Sequence, residues 1–394
     1  MKILLIGAFF SNLFLLGCSS MPRQTGLEPE SAAPALTILE DTFFTPATQP
    51  RPLSQVFKLT QTQKREFLDA YYHADFTSKK PKARVYAYLK NQLENFNFYS
   101  DTLSANESLS NNQGNCLSLA ILTKTLADLV SVEVTYELVE TTPIYQKEGD
   151  IILSSQHVRT SLFDPKSTLG TNQFSLFRGR IVIDYFPSRD SRVLRSVDEQ
   201  EFFAMYYRNK AAEALIRDKE GEAFWNLKYA LQQNPNDEHA INMLALLHER
   251  AGYPGYAENL YRYGLFYAKN KLDLLNNYHA LLKAQNRLKE AELISEKLAI
   301  IDDPNPFKWI SLGNKAYNSR DFSRAIAYYR KAGRLAPYLH ESYAGVARSQ
   351  YQLGRLTSAK SSLKKAIKNT HNQNTLSIYQ AKLNMLSQLL AQES

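Results

Sequence analysis

A fixed spacing of 34 residues runs through the second half of this 394-residue chain. Alanine recurs at that interval five times without an insertion, at Ala223, Ala257, Ala291, Ala325 and Ala359. Small residues at a constant place in a repeat mark positions where two helices approach closely. One helix pair cannot bury its apolar face alone, so neighbouring copies have to stack. The spacing predicts an all-α solenoid of five repeats over residues 204–373, closed by a capping helix over residues 374–391.

The clearest copy of the repeat covers residues 306–339 and resembles the tetratricopeptide repeat. The residues that carry this resemblance are Trp309, Leu312, Gly313, Phe322, Ala325, Tyr329, Ala332 and Pro337. It implies antiparallel helix pairs whose concave groove binds a protein or peptide partner. We do not expect the clamp by which some members of that family hold a C-terminal carboxylate, because Asn314 is followed by Ala344 and Gly345 at the other clamp positions. A role as a rigid spacer stays open.

The first twenty residues have the layout of a secretory signal peptide, with Lys2 before a short apolar stretch. That stretch, residues 3–17, is shorter than the about 20 apolar residues that span a bilayer. The sequence Leu15-Leu16-Gly17-Cys18 resembles the bacterial lipobox, which implies a signal peptide over residues 1–17 and lipid on Cys18. Ser19 resembles the residue found in lipoproteins of the outer membrane. We therefore expect a lipid-anchored protein on the periplasmic side of a bacterial membrane, at the outer membrane.

Two segments lie between this leader and the repeats. Residues 18–55 are rich in proline and predict an extended tether. Residues 56–200 begin with helical patterns at 64–76 and 82–98 and continue with an apolar helix from Cys116 to about Leu129. Strands follow at 132–138, 156–163 and 180–186, with no helix between them. This order predicts an α+β domain with an antiparallel sheet.

Three residues of this domain have the order of a thiol triad. Cys116 opens the apolar helix, His157 lies on one predicted strand and Asp184 lies on the next. A thiol at a helix N-terminus beside an imidazole is expected to ionise readily, because both favour the thiolate. Asp184 stands in the apolar run 180–186, where a carboxylate needs a partner. Asp164, at the end of the His157 strand, is the alternative third member.

The segments around these residues resemble the transglutaminase-like superfamily of the papain-like fold. They read Gly114-Asn115-Cys116-Leu117-Ser118-Leu119-Ala120, Gln156-His157-Val158 and Ile181-Val182-Ile183-Asp184-Tyr185. The resemblance implies that Cys116 attacks a carbonyl, that His157 carries the proton and that Asp184 orients the imidazole. The backbone N–H of Cys116 is the first candidate oxyanion donor, and Gln113 stays unassigned. Asn115 stands where many relatives carry Asp, so an inactive relative stays open.

The composition excludes several other classes of function. The net charge of +8 is taken as a mild excess along the sequence with no run of five like charges, so we expect no nucleic acid partner. Two cysteines and no HExxH motif predict no metal site, and without a glycine-rich phosphate loop no cofactor is expected. We expect a membrane-anchored thiol acyl transferase or amidohydrolase acting on protein or peptide amides. The alternative is an inactive lipid-anchored scaffold that binds proteins through its repeats.

Overall fold

The computed structural model describes residues 44, 49–98, 101–140, 145–148, 151–154, 157–165, 179–185 and 192–392. The predicted signal peptide over residues 1–17 and the predicted lipidation site Cys18 lie outside these residues. Among these described residues, the first half contains five α-helices, α1 Leu53–Val56, α2 Gln61–Tyr71, α3 Pro81–Gln92, α4 Ala105–Asn111 and α5 Cys116–Leu129. Its strands are β1 Glu133–Glu140, β2 Tyr145–Glu148, β3 Ile151–Ser154, β4 His157–Phe163, β5 Ile181–Ile183 and β6 Arg192–Val197. In the part of the chain so described, no helix is long and apolar enough to cross a membrane.

The predicted antiparallel sheet is present and small. Its four strands are ordered β5-β4-β1-β6, while β2 and β3 form a separate hairpin. The register sets Val139 of β1 opposite His157 of β4, and Thr160 of β4 opposite Ile183 of β5. Helix α5 packs against β4 and β1. This packing brings the start of α5 to the end of the sheet where β4 begins and β5 finishes.

The local boundaries differ from the predicted ones in two helices. The first ends at Tyr71 rather than 76, and a short 3₁₀ turn, Ala74–Phe76, follows it. The second ends at Gln92 rather than 98. Beyond it, Asn97 leaves the helical path because its N–H and C=O pair with Asn112 O and Gly114 N, each at 3.0 Å. The predicted ends of the strands at Gln156 and Phe186 lie outside the described residues.

The second half is a stack of antiparallel helix pairs, as the 34-residue spacing predicts. The pairs are α6 Glu199–Ile216 with α7 Glu220–Gln233, α8 Glu238–Arg250 with α9 Pro254–Tyr267, α10 Leu272–Ala284 with α11 Leu288–Ala299, α12 Pro306–Asn318 with α13 Phe322–Leu335, and α14 His340–Gln352 with α15 Leu356–Lys368. Helix α16, Gln373–Gln392, closes the stack. The five alanines of the repeat are all buried, at most 3% exposed. The tetratricopeptide-like repeat architecture is thereby confirmed.

The sheet domain and the first three repeats share one apolar core, which runs from Phe44 to Ile294 in the described part of the chain. At the junction the ring of Tyr136 on β1 stacks on Phe202 of α6, with centroids 3.9 Å apart. The last two repeats and α16 instead pack around two small clusters of their own, centred on Tyr329 and Leu363. The apolar core is thus continuous through three repeats, while the C-terminal end of the solenoid has separate cores.

The described part of the predicted tether is packed on the folded body. Phe44 is buried, 4% exposed, and stacks on Phe224 of α7 at a centroid distance of 4.5 Å. Arg51 pairs with Glu107 of α4 at 2.7 Å, and its carbonyl oxygen accepts a hydrogen bond from Tyr207 of α6 at 3.0 Å. The hydrogen bond from Arg51 lowers the pKa of Glu107 to about 2, against the effect of burial. Residues 49–55 therefore belong to the folded domain rather than to a free tether.

Candidate functional site

The loop before Cys116 is fixed by a cap on α5. Asn115 is the N-cap: its side-chain oxygen accepts a hydrogen bond from the backbone N–H of Ser118 at 3.0 Å. Gly114 has φ +153°, and a Cβ added there would lie 2.6 Å from Cβ of Ser118. Only glycine lets the chain pass this close to the first helical turn. Gln113, the residue before Gly114, forms an isolated β-bridge with Asn97. The sequence thus holds Cys116 as the first residue of α5.

A second contact of the cap reaches the solenoid, and the sequence patterns did not identify it. The Asn115 amide donates to Thr102 Oγ1 at 2.7 Å. The same hydroxyl accepts a hydrogen bond from Asn209 of α6 at 3.3 Å, and the Thr102 N–H donates to Glu213 of α6 at 2.6 Å. These residues are far apart in the sequence, so no local motif predicts their contact. They tie the start of α5 to the first repeat.

His157 and Asp184 are brought together as the sequence predicts. His157 Nε2 lies 2.7 Å from Asp184 Oδ1, and both side chains are largely buried. The next residue, Tyr185, is anchored beneath α5, since its hydroxyl lies 2.6 Å from Thr123 Oγ1 and donates to the Leu119 carbonyl at 3.2 Å. The alternative carboxylate, Asp164, pairs instead with Lys82 of α3 at 3.1 Å. The geometry therefore selects Asp184 as the partner of the imidazole.

Cys116 lies close to the same strand, because the backbone N–H of Val158, the neighbour of His157, acts to lower the pKa of its thiol. Burial nevertheless raises the pKa of the Cys116 thiol. The N–H groups of Val158, Leu117 and Cys116 itself oppose that shift, and the negative charge of Asp184 adds to it. This differs from the resting thiolate expected from the sequence, since desolvation outweighs the helix terminus. The arrangement places Asp184 on Nε2 of the His157 ring, and strand β4 carries both that imidazole and the Val158 N–H that acts on the thiol.

A cleft of about 210 Å³ opens beside the triad at its Asp184 end. Tyr86, Leu89 and Lys90 of α3 form one wall, and Val182 and Tyr185 form the other. Asp184 lines this cleft, whereas Cys116 and His157 do not. In the part of the chain that the structure describes, no group of three His, Cys, Asp or Glu side chains is arranged to hold a metal ion.

A larger cavity, about 490 Å³, lies in the concave groove of the last two repeats. Helices α12, α14 and α16 form it, with Ile310, Tyr351 and Met385 among the apolar residues that line it. Asn314, Ala344 and Gly345, named in the sequence as the positions of a missing clamp, also line this cavity. A groove of this size accommodates several side chains of a bound segment.

No family model and no curated protein matches the chain. Among solved structures, PilF of Pseudomonas aeruginosa matches 50% of this chain and 100% of its own at 19% identity and a TM-score of 0.35. MamA of Desulfovibrio magneticus RS-1 matches 45% of this chain and 98% of its own at 18% identity, with a TM-score of 0.29. YrrB, described as a TPR protein with an unusual peptide-binding site, matches 46% and 92% at 15% identity and a TM-score of 0.28. At these TM-scores the likenesses carry no functional argument, and the repeat architecture stands on the helix pairs described above.

Proposed function

We propose that this protein is a scaffold whose solenoid binds a partner protein in the groove of its last repeats. The observation that carries the proposal is the 490 Å³ cavity between α12, α14 and α16, which is lined by apolar residues on the concave side. Exposed apolar surface in a concave site marks a place where a ligand or protein is bound. The resemblance of residues 15–18 to a lipobox supports a scaffold anchored through lipid on Cys18, on the periplasmic side of an outer membrane.

Site-specific photo-crosslinking tests this proposal. Tyr351 lines the groove and is 39% exposed, whereas Tyr338 is 38% exposed and does not line it. With p-benzoylphenylalanine at either position of the full chain in producing cells, we expect a discrete protein adduct from position 351 and none from position 338. Equal adducts from both positions, or none from either, would remove the groove as the binding site.

A second function is favoured by the 2.7 Å contact between His157 and Asp184 beside Cys116. We propose thiol-dependent acyl transfer or hydrolysis of protein or peptide amides. The His157 imidazole would take the thiol proton as the sulfur attacks the amide carbonyl, then pass it to the departing amine. The acyl group would remain on Cys116 as a thioester until water or another amine attacks it. Asp184 would hold the ring through Nε2 throughout.

Thiol alkylation distinguishes this function from an inactive site. Because burial raises the pKa of the Cys116 thiol, the resting sulfur is protonated at pH 7 and reacts only when a base removes its proton. With a Cys18→Ser background leaving one thiol, we expect His157→Ala to slow iodoacetamide alkylation at pH 7.5 about 100-fold. The difference should vanish above pH 10, where hydroxide replaces the base. Equal rates at pH 7.5 would leave only the scaffold.

A further inference from the structure

The positive charge of the chain is concentrated at its C-terminal end. Residues 306–392 contain 14 Lys and Arg and 2 Asp and Glu, so 14 − 2 gives +12, against +8 for the whole chain. The remainder therefore carries 8 − 12 = −4. The expectation of an excess spread along the sequence is wrong, because it averaged two regions of opposite sign. The groove of the last repeats is set in the basic region, which favours an acidic partner.

One cation that lines that groove is exposed and held in place by its neighbours. Arg348 of α14 lies over the ring of Tyr317, with the guanidinium carbon 4.4 Å from the ring centroid. It donates hydrogen bonds to Asn314 of α12 and to the hydroxyl of Tyr329. Stacking and hydrogen bonds together hold the guanidinium in one orientation before any ligand binds.

The residue that supports Arg348 is itself locked between two helices. Tyr329 of α13 is 1% exposed, and its hydroxyl donates to Asn314 at 2.7 Å. Its ring passes between Gly313 and Gly345, where an added Cβ would lie 2.6 Å from ring carbons at either position. The absence of a side chain at both glycines thus lets the Tyr329 phenol extend from α13 between α12 and α14 to the groove. This is a preorganised support for the guanidinium.

All these partners of Arg348 are neutral. Within the described residues, no carboxylate lies at ion-pair distance from its guanidinium. Lys382 of α16 lines the same cavity and is likewise without an ion pair there. A guanidinium held by neutral groups in an apolar cavity has its charge available for an incoming anion.

We propose that this cavity binds an acidic segment of a partner protein, with a side-chain carboxylate of Asp or Glu seated on Arg348. This inference rests on the proposed scaffold function and names the chemistry of its partner. An apolar side chain next to the carboxylate packs on Ile310 and Met385, which line the same cavity. Lys382 adds a second positive charge from α16. Glu341, which also lines the cavity and is 44% exposed on its side chain, opposes the bound carboxylate.

Binding of the full chain to two peptide libraries tests the proposal. Both consist of immobilised decapeptides with amidated C-termini, randomised around a central residue that is Glu in one library and Gln in the other. Amidation removes the terminal carboxylate, so only side chains supply an anion. We expect binders from the Glu library to bind about tenfold or more tightly than their Gln counterparts. Arg348→Gln should reduce them to the Gln level, and Glu341→Gln should tighten them.

The matched control is Lys364→Gln, which removes the same charge from an exposed position on α15. An equal loss in Lys364→Gln would show attraction to the basic region at large and overturn the proposal. Equal binding of the Glu and Gln libraries would overturn the proposal too. So would a protein that binds single-stranded DNA or anionic vesicles through Arg348 but does not bind the Glu library. Circular dichroism of the Arg348→Gln variant checks that the repeats stay folded. If the crosslink at position 351 persists while the peptides fail, the scaffold stands and the acidic partner does not.

Discussion

Replacing Phe202 with alanine is expected to lower the free energy of unfolding by about 3–5 kcal/mol. The side chain is fully buried and stacks on Tyr136, so its loss opens a cavity where α6 meets the sheet. Since one core joins the sheet domain to the first three repeats, both parts should unfold together at a lower urea concentration. Urea unfolding followed by circular dichroism and by tyrosine fluorescence measures this.

The control for that variant is Phe266→Ala on α9, because Phe266 is 56% exposed. Its effect should stay within about 0.5 kcal/mol, as for other surface substitutions. A Phe202→Ala protein whose repeats keep their stability while the sheet domain melts separately would contradict a shared core. So would equal effects of the two substitutions.

Arg208→Ala is expected to lower the free energy of unfolding by about 3–5 kcal/mol, because the substitution removes the cation that pairs with a buried carboxylate. Arg208 of α6 pairs with Asp237 at 2.9 Å, and the side chain of Asp237 is 3% exposed. Asp237 also caps α8, accepting hydrogen bonds from the N–H groups of His239 and Ala240. Burial would raise the pKa of Asp237, but the positive charge of Arg208, that of His239 and the hydrogen bond from the Ala240 N–H keep it below its ordinary value. The pair thus fastens the second repeat to the first.

The difference in stability between the wild type and Arg208→Ala should depend on pH. In the wild type the pKa of Asp237 is lowered by folding, so its contribution is present above the ordinary pKa of 3.8 and is lost as the pH falls through the folded value. In Arg208→Ala, burial raises that pKa, and protonation relieves the penalty on acidification. The difference in stability should therefore be largest at pH 7 and shrink towards pH 3.

The exposed pair of Arg195 with Glu201 supplies the comparison for Arg208→Ala. Arg195 is 43% exposed on its side chain, so Arg195→Ala should cost no more than about 1 kcal/mol. Chemical denaturation of both variants at pH 7 and pH 3 measures the two effects. A constant difference across that range for Arg208→Ala would show lost packing rather than an unpaired carboxylate.

Features with a strict period or a single strong local signal could be predicted from the sequence. Helix α5 spans Cys116–Leu129, as its apolar pattern indicates, and the first helices of four successive pairs begin 34 residues apart, at Glu238, Leu272, Pro306 and His340. Both follow from short-range rules of helix capping and small-residue packing. The contact of His157 with Asp184 follows from adjacent strands and from the cost of an isolated buried charge.

Features set by long-range packing could not be predicted. The pKa of Cys116 depends on how deeply β4 covers its sulfur, which no local pattern reports. In the sequence, Phe44 is one residue of a proline-rich segment, and no local pattern predicts that its ring stacks on Phe224, 180 positions away. Arg348 stands outside the positions that define the repeat, and the residues around it come from two other helices, α12 and α13.

The separate small clusters beneath the last two repeats have a consequence for how that end of the molecule behaves over time. Few apolar contacts hold α12–α16 to the rest, so this segment can open and reclose while the remaining fold stays intact. Its backbone amides should exchange with deuterated solvent sooner than those of α6–α9. A ligand seated on Arg348 would contact residues of both small clusters. Binding would therefore suppress the local opening of α12–α16 and slow the exchange of their amides.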